Sequence, residues 1–136
     1  MTIELISLLA VTALAASLWL PFVIGLNTAP TMEGGIDPML VPRDPLQMRP
    51  WVARAYRAHQ NLLEQFLPFA AVVLIAAHLG VSTPISQGAA IAFVALWIAH
   101  AVGMISGWAR LPLRPLIFSG AYIAILVLIW QVIAHT

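Results

Sequence analysis

Four stretches of this chain stay apolar over twenty residues or more: about 3–26, 50–79, 85–108 and 113–134. Crossing about 30 Å of hydrocarbon takes roughly 20 apolar residues in a helix, so each is long enough to span a bilayer. Backbone groups in lipid must be hydrogen-bonded internally, which in a chain of apolar segments this long means helices. The sequence therefore predicts an all-α, integral membrane four-helix bundle, one domain over 1–136. Composition agrees: only 8% of the residues are charged and 62% are hydrophobic, against about 25% charged in a soluble domain. That is too little polarity to cover a water-facing surface.

The opening segment carries Glu4 and no basic residue, and its apolar run reaches about Leu26. A secretory signal has a positive start and a shorter apolar core, so this segment is expected to be a retained helix. Gly80–Pro84 punctuates the second and third spans, and Pro112 and Pro115 mark the start of the fourth. The long polar connection 27–49, with Pro30, Gly34, Gly35, Pro38, Pro42 and Pro45, reads as an irregular loop.

All six basic residues are arginines and there is no cysteine. Disulfides, thiolate nucleophiles and cysteine metal sites are thereby excluded, and a net charge of +1 implies no nucleic-acid partner. Arg43, Arg49, Arg54 and Arg57 cluster around the first connection, and Arg110 and Arg114 flank the third. The positive-inside rule puts both connections in the cytoplasm and both termini outside. Trp51, Trp108 and Trp130 fall where interfacial aromatic belts are expected.

The second span opens with an organised polar stripe. With Arg54 at zero and about 100° per residue, Arg57 falls near 300°, Asn61 near 340°, Glu64 near 280° and Pro68 near 320°. His59, near 140°, points elsewhere. A charge at the centre of a membrane helix costs about 2.5–3.5 kcal/mol on insertion scales, so Glu64 is expected to face the bundle interior with a partner. Two readings stand side by side: Arg57 or Arg114 pairs with Glu64 to fix packing, or the stripe holds a small zwitterionic or anionic ligand. Arg54 and Arg57 near the positive end of their own helix favour an added anion.

Elsewhere the expectations are structural. Gly103 and Gly107 form a G-x-x-x-G read as a helix-packing seam, Met104 and Phe118 as core, and His78 and His135 as interfacial. His59 and Glu64 diverge too far to pair on a metal, so no metal site is expected. There is no phosphate loop, no Ser-His-Asp order and no basic-aromatic nucleic-acid surface.

The stretch "RAYRAHQNLLEQFLPFAA", with Arg54, Arg57, Ala58, Asn61, Glu64 and Pro68 in order, resembles the signature of the MAPEG family, the membrane-associated proteins in eicosanoid and glutathione metabolism. Chain length, four spans, a long first connection and "RLPLR" before the fourth span extend the resemblance over nearly the whole chain. The chain resembles a bacterial-type member of the family, which implies a homotrimer in a bacterial inner membrane. Glutathione, as co-substrate, would bind between neighbouring subunits near the cytoplasmic face. By the same resemblance Arg57, Asn61 and Glu64 contact the tripeptide, with Arg54 and His100 as further carry-overs, and Arg114 stabilises the thiolate. The pattern departs at Gln60, where some members carry a second basic residue. It departs again after Arg114, where Pro115 and Phe118 stand near the family's Ser and Tyr positions. Ser119 and Tyr122 are displaced, and Tyr122, two turns beyond Arg114 on a similar face, is the second catalytic candidate beside it.

The implied function is a membrane-embedded glutathione-dependent transferase or peroxidase acting on lipophilic electrophiles or lipid hydroperoxides. Its partners would be the lipid bilayer, other copies of the chain and a lipophilic small molecule. The alternatives are a non-catalytic member that binds a ligand or scaffolds other membrane proteins, and a small transporter using Glu64 as coupling carboxylate.

Overall fold

The computed structural model describes residues 1–28 and 49–135; Arg43 and the prolines and glycines of the long connection lie outside them. Four helices follow in order: α1 Ile3–Thr28, α2 Pro50–His78, α3 Pro84–Ser106 and α4 Leu113–Ala134. All four are long and apolar enough to cross a membrane. α2 and α3 form the central pair, with α1 packed on both from one flank and α4 from the other.

The buried face of each helix follows its 3.6-residue period. Along α2 the fully buried residues include Ala58, Leu62, Phe69 and Val73. Facing them on α3 are Ala90, Phe93, Trp97 and Ala101. Phe69 and Phe93 stack at 3.9 Å between ring centres, 5° from parallel, at the middle of the core. Outside, large apolar side chains such as Leu67, Ile91, Leu116 and Ile129 are exposed, as suits contact with acyl chains. The polar residues on the outer face of α1 satisfy themselves: Thr12 donates to the Leu8 carbonyl at 2.8 Å and Ser17 to that of Ala13 at 2.8 Å.

The end of the bundle that holds the N-terminus and the α2–α3 turn is tied by polar contacts. Glu4, only 2% exposed, accepts from the Ser82 hydroxyl at 3.1 Å to each oxygen and from the Ser86 hydroxyl. Thr83 caps α3 in a reciprocal capping box with Ser86 and donates to Gln131 on α4 at 2.7 Å. One chain of hydrogen bonds thus links α1, the start of α3 and α4, although α1 and α4 sit on opposite flanks. The sequence reading used Glu4 only as a missing basic residue and missed this tie.

At its other end α3 stops at Ser106, two residues short of the expected 108. Gly107 takes a left-handed φ of 80°, and its N–H bonds back to Met104 at 3.1 Å. The Ala109 N–H reaches the Gly103 carbonyl at 2.9 Å. A Cβ on Gly103 would lie 2.7 Å from that of Ala109. Within the chain, the G-x-x-x-G is therefore a helix terminus with the chain folded back over it rather than a seam between two helices. Helix α1 runs on through Asn27 and Thr28, each bonded to its own helix four residues back.

Candidate functional site

Helices α2, α3 and α4 converge at the end of the bundle opposite Glu4. Asn61 lies eleven residues into α2, and His100 six before the end of α3. The antiparallel course of the two helices brings them level, and Asn61 Nδ2 lies 3.3 Å from His100 Nε2. Arg114 enters on the first turn of α4. Together with Leu111, Pro115, Phe118 and Ser119 these residues line a cavity of about 340 Å³. A cation, an amide and an imidazole share its wall with apolar groups, the mixture typical of a small-molecule site.

Behind the cavity the packing is tight. His100 is 1% exposed, with Trp97 edge-on at 4.9 Å and Phe118 tilted at 6.3 Å. Phe118 also meets Trp97 at 6.0 Å. It is thus both a half-buried wall of the cavity and a partner of the core. Gln65, one turn beyond Asn61, donates to the Phe118 carbonyl at 3.2 Å and joins α2 to α4. Sequence reasoning passed over Gln65 and Trp97; their positions, one turn from Asn61 and from His100 respectively, were the signal available.

The stripe of α2 divides in the structure. Arg54 turns to the end of α3 and donates from Nε and Nη2 to the Ile105 carbonyl at 3.4 and 3.2 Å. Its guanidinium lies over Gly107, 3.3 Å from where a Cβ would stand. A cation on the last carbonyls of a helix complements the negative end of its dipole. Arg57 and Glu64, in contrast, are exposed on the lateral face of α2. Glu64 does not face the bundle interior as expected: it lies about 200° round the helix from buried Leu62. Among the described residues neither Arg57 nor Glu64 has a hydrogen bond or ion pair, so the pairing of Glu64 with Arg57 or Arg114 is not formed within the chain. Pro68 has no N–H, so the Glu64 carbonyl, four residues earlier, receives no helical bond. Carboxylate and carbonyl acceptors therefore sit together on that face.

Tyr122 is 53% exposed, one turn beyond the Phe118 and Ser119 that line the cavity, and is not part of the lining. His59 is half-buried and its Nδ1 makes no hydrogen bond among the described residues. The structure thus brings Asn61, His100 and Arg114 to one cavity. It leaves Arg57 and Glu64 beside it on the chain surface and commits Arg54 to α3. Against known families, the chain matches the MAPEG family over residues 6–134. No curated protein matches it.

Proposed function

The chain belongs to the MAPEG family, and from that membership we propose a membrane-embedded protein that binds glutathione and presents its thiolate to a lipophilic substrate. The family includes glutathione-dependent transferases and peroxidases as well as non-catalytic members. The observation that carries the reading is the cavity of about 340 Å³ lined by Asn61, His100 and Arg114, within the roughly 300–1,000 Å³ of small-molecule sites.

The chemistry of the lining suits the tripeptide. Glutathione carries two carboxylates, an ammonium and a thiol. The Arg114 guanidinium beside the sulfur favours thiolate over thiol, whose ordinary pKa is about 8.5. Asn61 supplies amide recognition at the cavity wall. Arg57 and Glu64 would meet the carboxylates and the ammonium in the cleft between neighbouring copies of a homotrimer. Their exposure on α2 supports this, since two charges facing acyl chains are costly. The basic connections would lie in the cytoplasm, where glutathione enters, and the termini outside. The lipophilic substrate would enter from the bilayer.

In the transferase reaction the thiolate forms a C–S bond to an electrophilic carbon, and the bond to the leaving group breaks with its electron pair. In the peroxidase reaction two glutathiones reduce a lipid hydroperoxide to an alcohol and water and leave as the disulfide. A second reading, ligand binding without turnover, has one observation in its favour. Pro115 and Phe118 occupy much of the wall near Arg114 and offer no side-chain proton to a leaving group.

Titration of detergent-purified protein with glutathione, followed by thiolate absorbance, tests the proposal. Saturable thiolate formation is expected, with a loss of about tenfold or more in Arg114→Ala. Equal thiolate formation in the variant removes Arg114 from the chemistry, and absence of binding removes glutathione. Binding with no turnover of electrophiles or hydroperoxides selects the second reading.

A further inference from the structure

Three polar atoms behind the cavity lack a hydrogen bond among the described residues: His100 Nδ1, Trp97 Nε1 and Gln65 Oε1. Their residues are 1%, 1% and 5% exposed. A buried polar atom without a partner is costly, so three on neighbouring residues call for an explanation. The three residues meet around Phe118. Trp97 and His100 are one turn apart on α3 and touch edge to face at 4.9 Å. Gln65 follows Asn61 by one turn on α2 and reaches the carbonyl of Phe118, whose ring meets both Trp97 and His100.

The donor and acceptor roles follow from the one bond that is made. An amide nitrogen only donates, so in the contact between Asn61 Nδ2 and His100 Nε2 the imidazole nitrogen must accept. The ring proton then resides on Nδ1. The unpaired set becomes two donors, His100 Nδ1–H and Trp97 Nε1–H, and one acceptor, Gln65 Oε1. Two donors and one acceptor are the complement of a single water, which accepts two bonds and donates at least one.

We propose that His100 is a positioning residue: completed from behind by Gln65, Trp97 and a shared buried water, it holds Asn61 so that the amide carbonyl faces the cavity. The cavity would then present Asn61 as an acceptor beside the Arg114 donor, and would select a ligand with an N–H donor, an ammonium or a peptide amide, at that point. The choice of ligand rests on the glutathione reading; the orientation of Asn61 does not.

Two measurements separate them. In protein labelled with ¹⁵N-histidine, with no ligand added, the ring shifts report the tautomer. His100→Gln identifies the His100 signals by their loss. An Nδ1–H ring with unprotonated Nε2 is expected, and an Nε2–H ring overturns the proposal. For binding, His100→Gln keeps an acceptor for Asn61 and a donor behind it, and its glutathione Kd is expected to stay within about threefold of the unmodified chain. His100→Leu keeps neither and is expected to weaken binding about tenfold, the scale of one lost hydrogen bond. Equal affinity in His100→Leu overturns the positioning role. If the unmodified chain binds no glutathione, only the ligand reading fails, and the tautomer decides the orientation by itself.

Discussion

Two charges in this chain act at a distance from the helix that carries them. Arg54 belongs to α2 and ends α3; Glu4 belongs to α1 and sits at the start of α3. Both charges complement the dipole of α3: Glu4 lies at its positive N-terminus and Arg54 at its negative C-terminus. The resemblance read Arg54 as a ligand contact, whereas its guanidinium is engaged with the Ile105 carbonyl. Arg54→Ala is therefore expected to lower stability by about 1–2 kcal/mol, measured as the unfolding midpoint in detergent; an unchanged midpoint would return Arg54 to the ligand. Residues also mark where sequence reading stopped. That Asn61 and His100 share a depth follows from a count of residues on antiparallel helices, but their contact at 3.3 Å is read from the structure alone. Which way Glu64 faces was not, because the stripe lies beside the buried face of α2 and its angle to the core depends on where α1, α3 and α4 dock.

Among the elements, the four helices were legible because lipid leaves a backbone few choices and because runs of this length have one economical conformation. The ends were less so. G-x-x-x-G is a pattern for close approach, and close approach occurs, but the backbone that approaches is the chain's own return past Ala109. The left-handed Gly107 needs a residue without Cβ, and a left-handed conformation costs an L-residue about 1–2 kcal/mol. Gly103→Ala and Gly107→Ala are thus expected to lower the unfolding midpoint while the number of copies in the detergent assembly stays the same, as read by native mass spectrometry. A change in copy number without a change in midpoint would restore the seam between chains.

Seen whole, the molecule has two unlike ends. One carries exposed Arg57 and Glu64 beside a cavity; the other carries the Glu4, Ser82, Ser86, Thr83 and Gln131 chain of hydrogen bonds. Glu4→Gln replaces a carboxylate acceptor by an amide against the same hydroxyls and is expected to cost about 1–3 kcal/mol. Hydrogen exchange would read the cost as faster amide exchange at 82–90, with 100–118 unchanged; uniform acceleration along the chain would mean that the tie holds nothing local. The asymmetry has a mechanical side. At the Glu4 rim one shared network holds α1, α3 and α4, whereas at the opposite rim α2 reaches α3 and α4 through separate bonds from Arg54, Asn61 and Gln65, so losing any one of these leaves the other two standing.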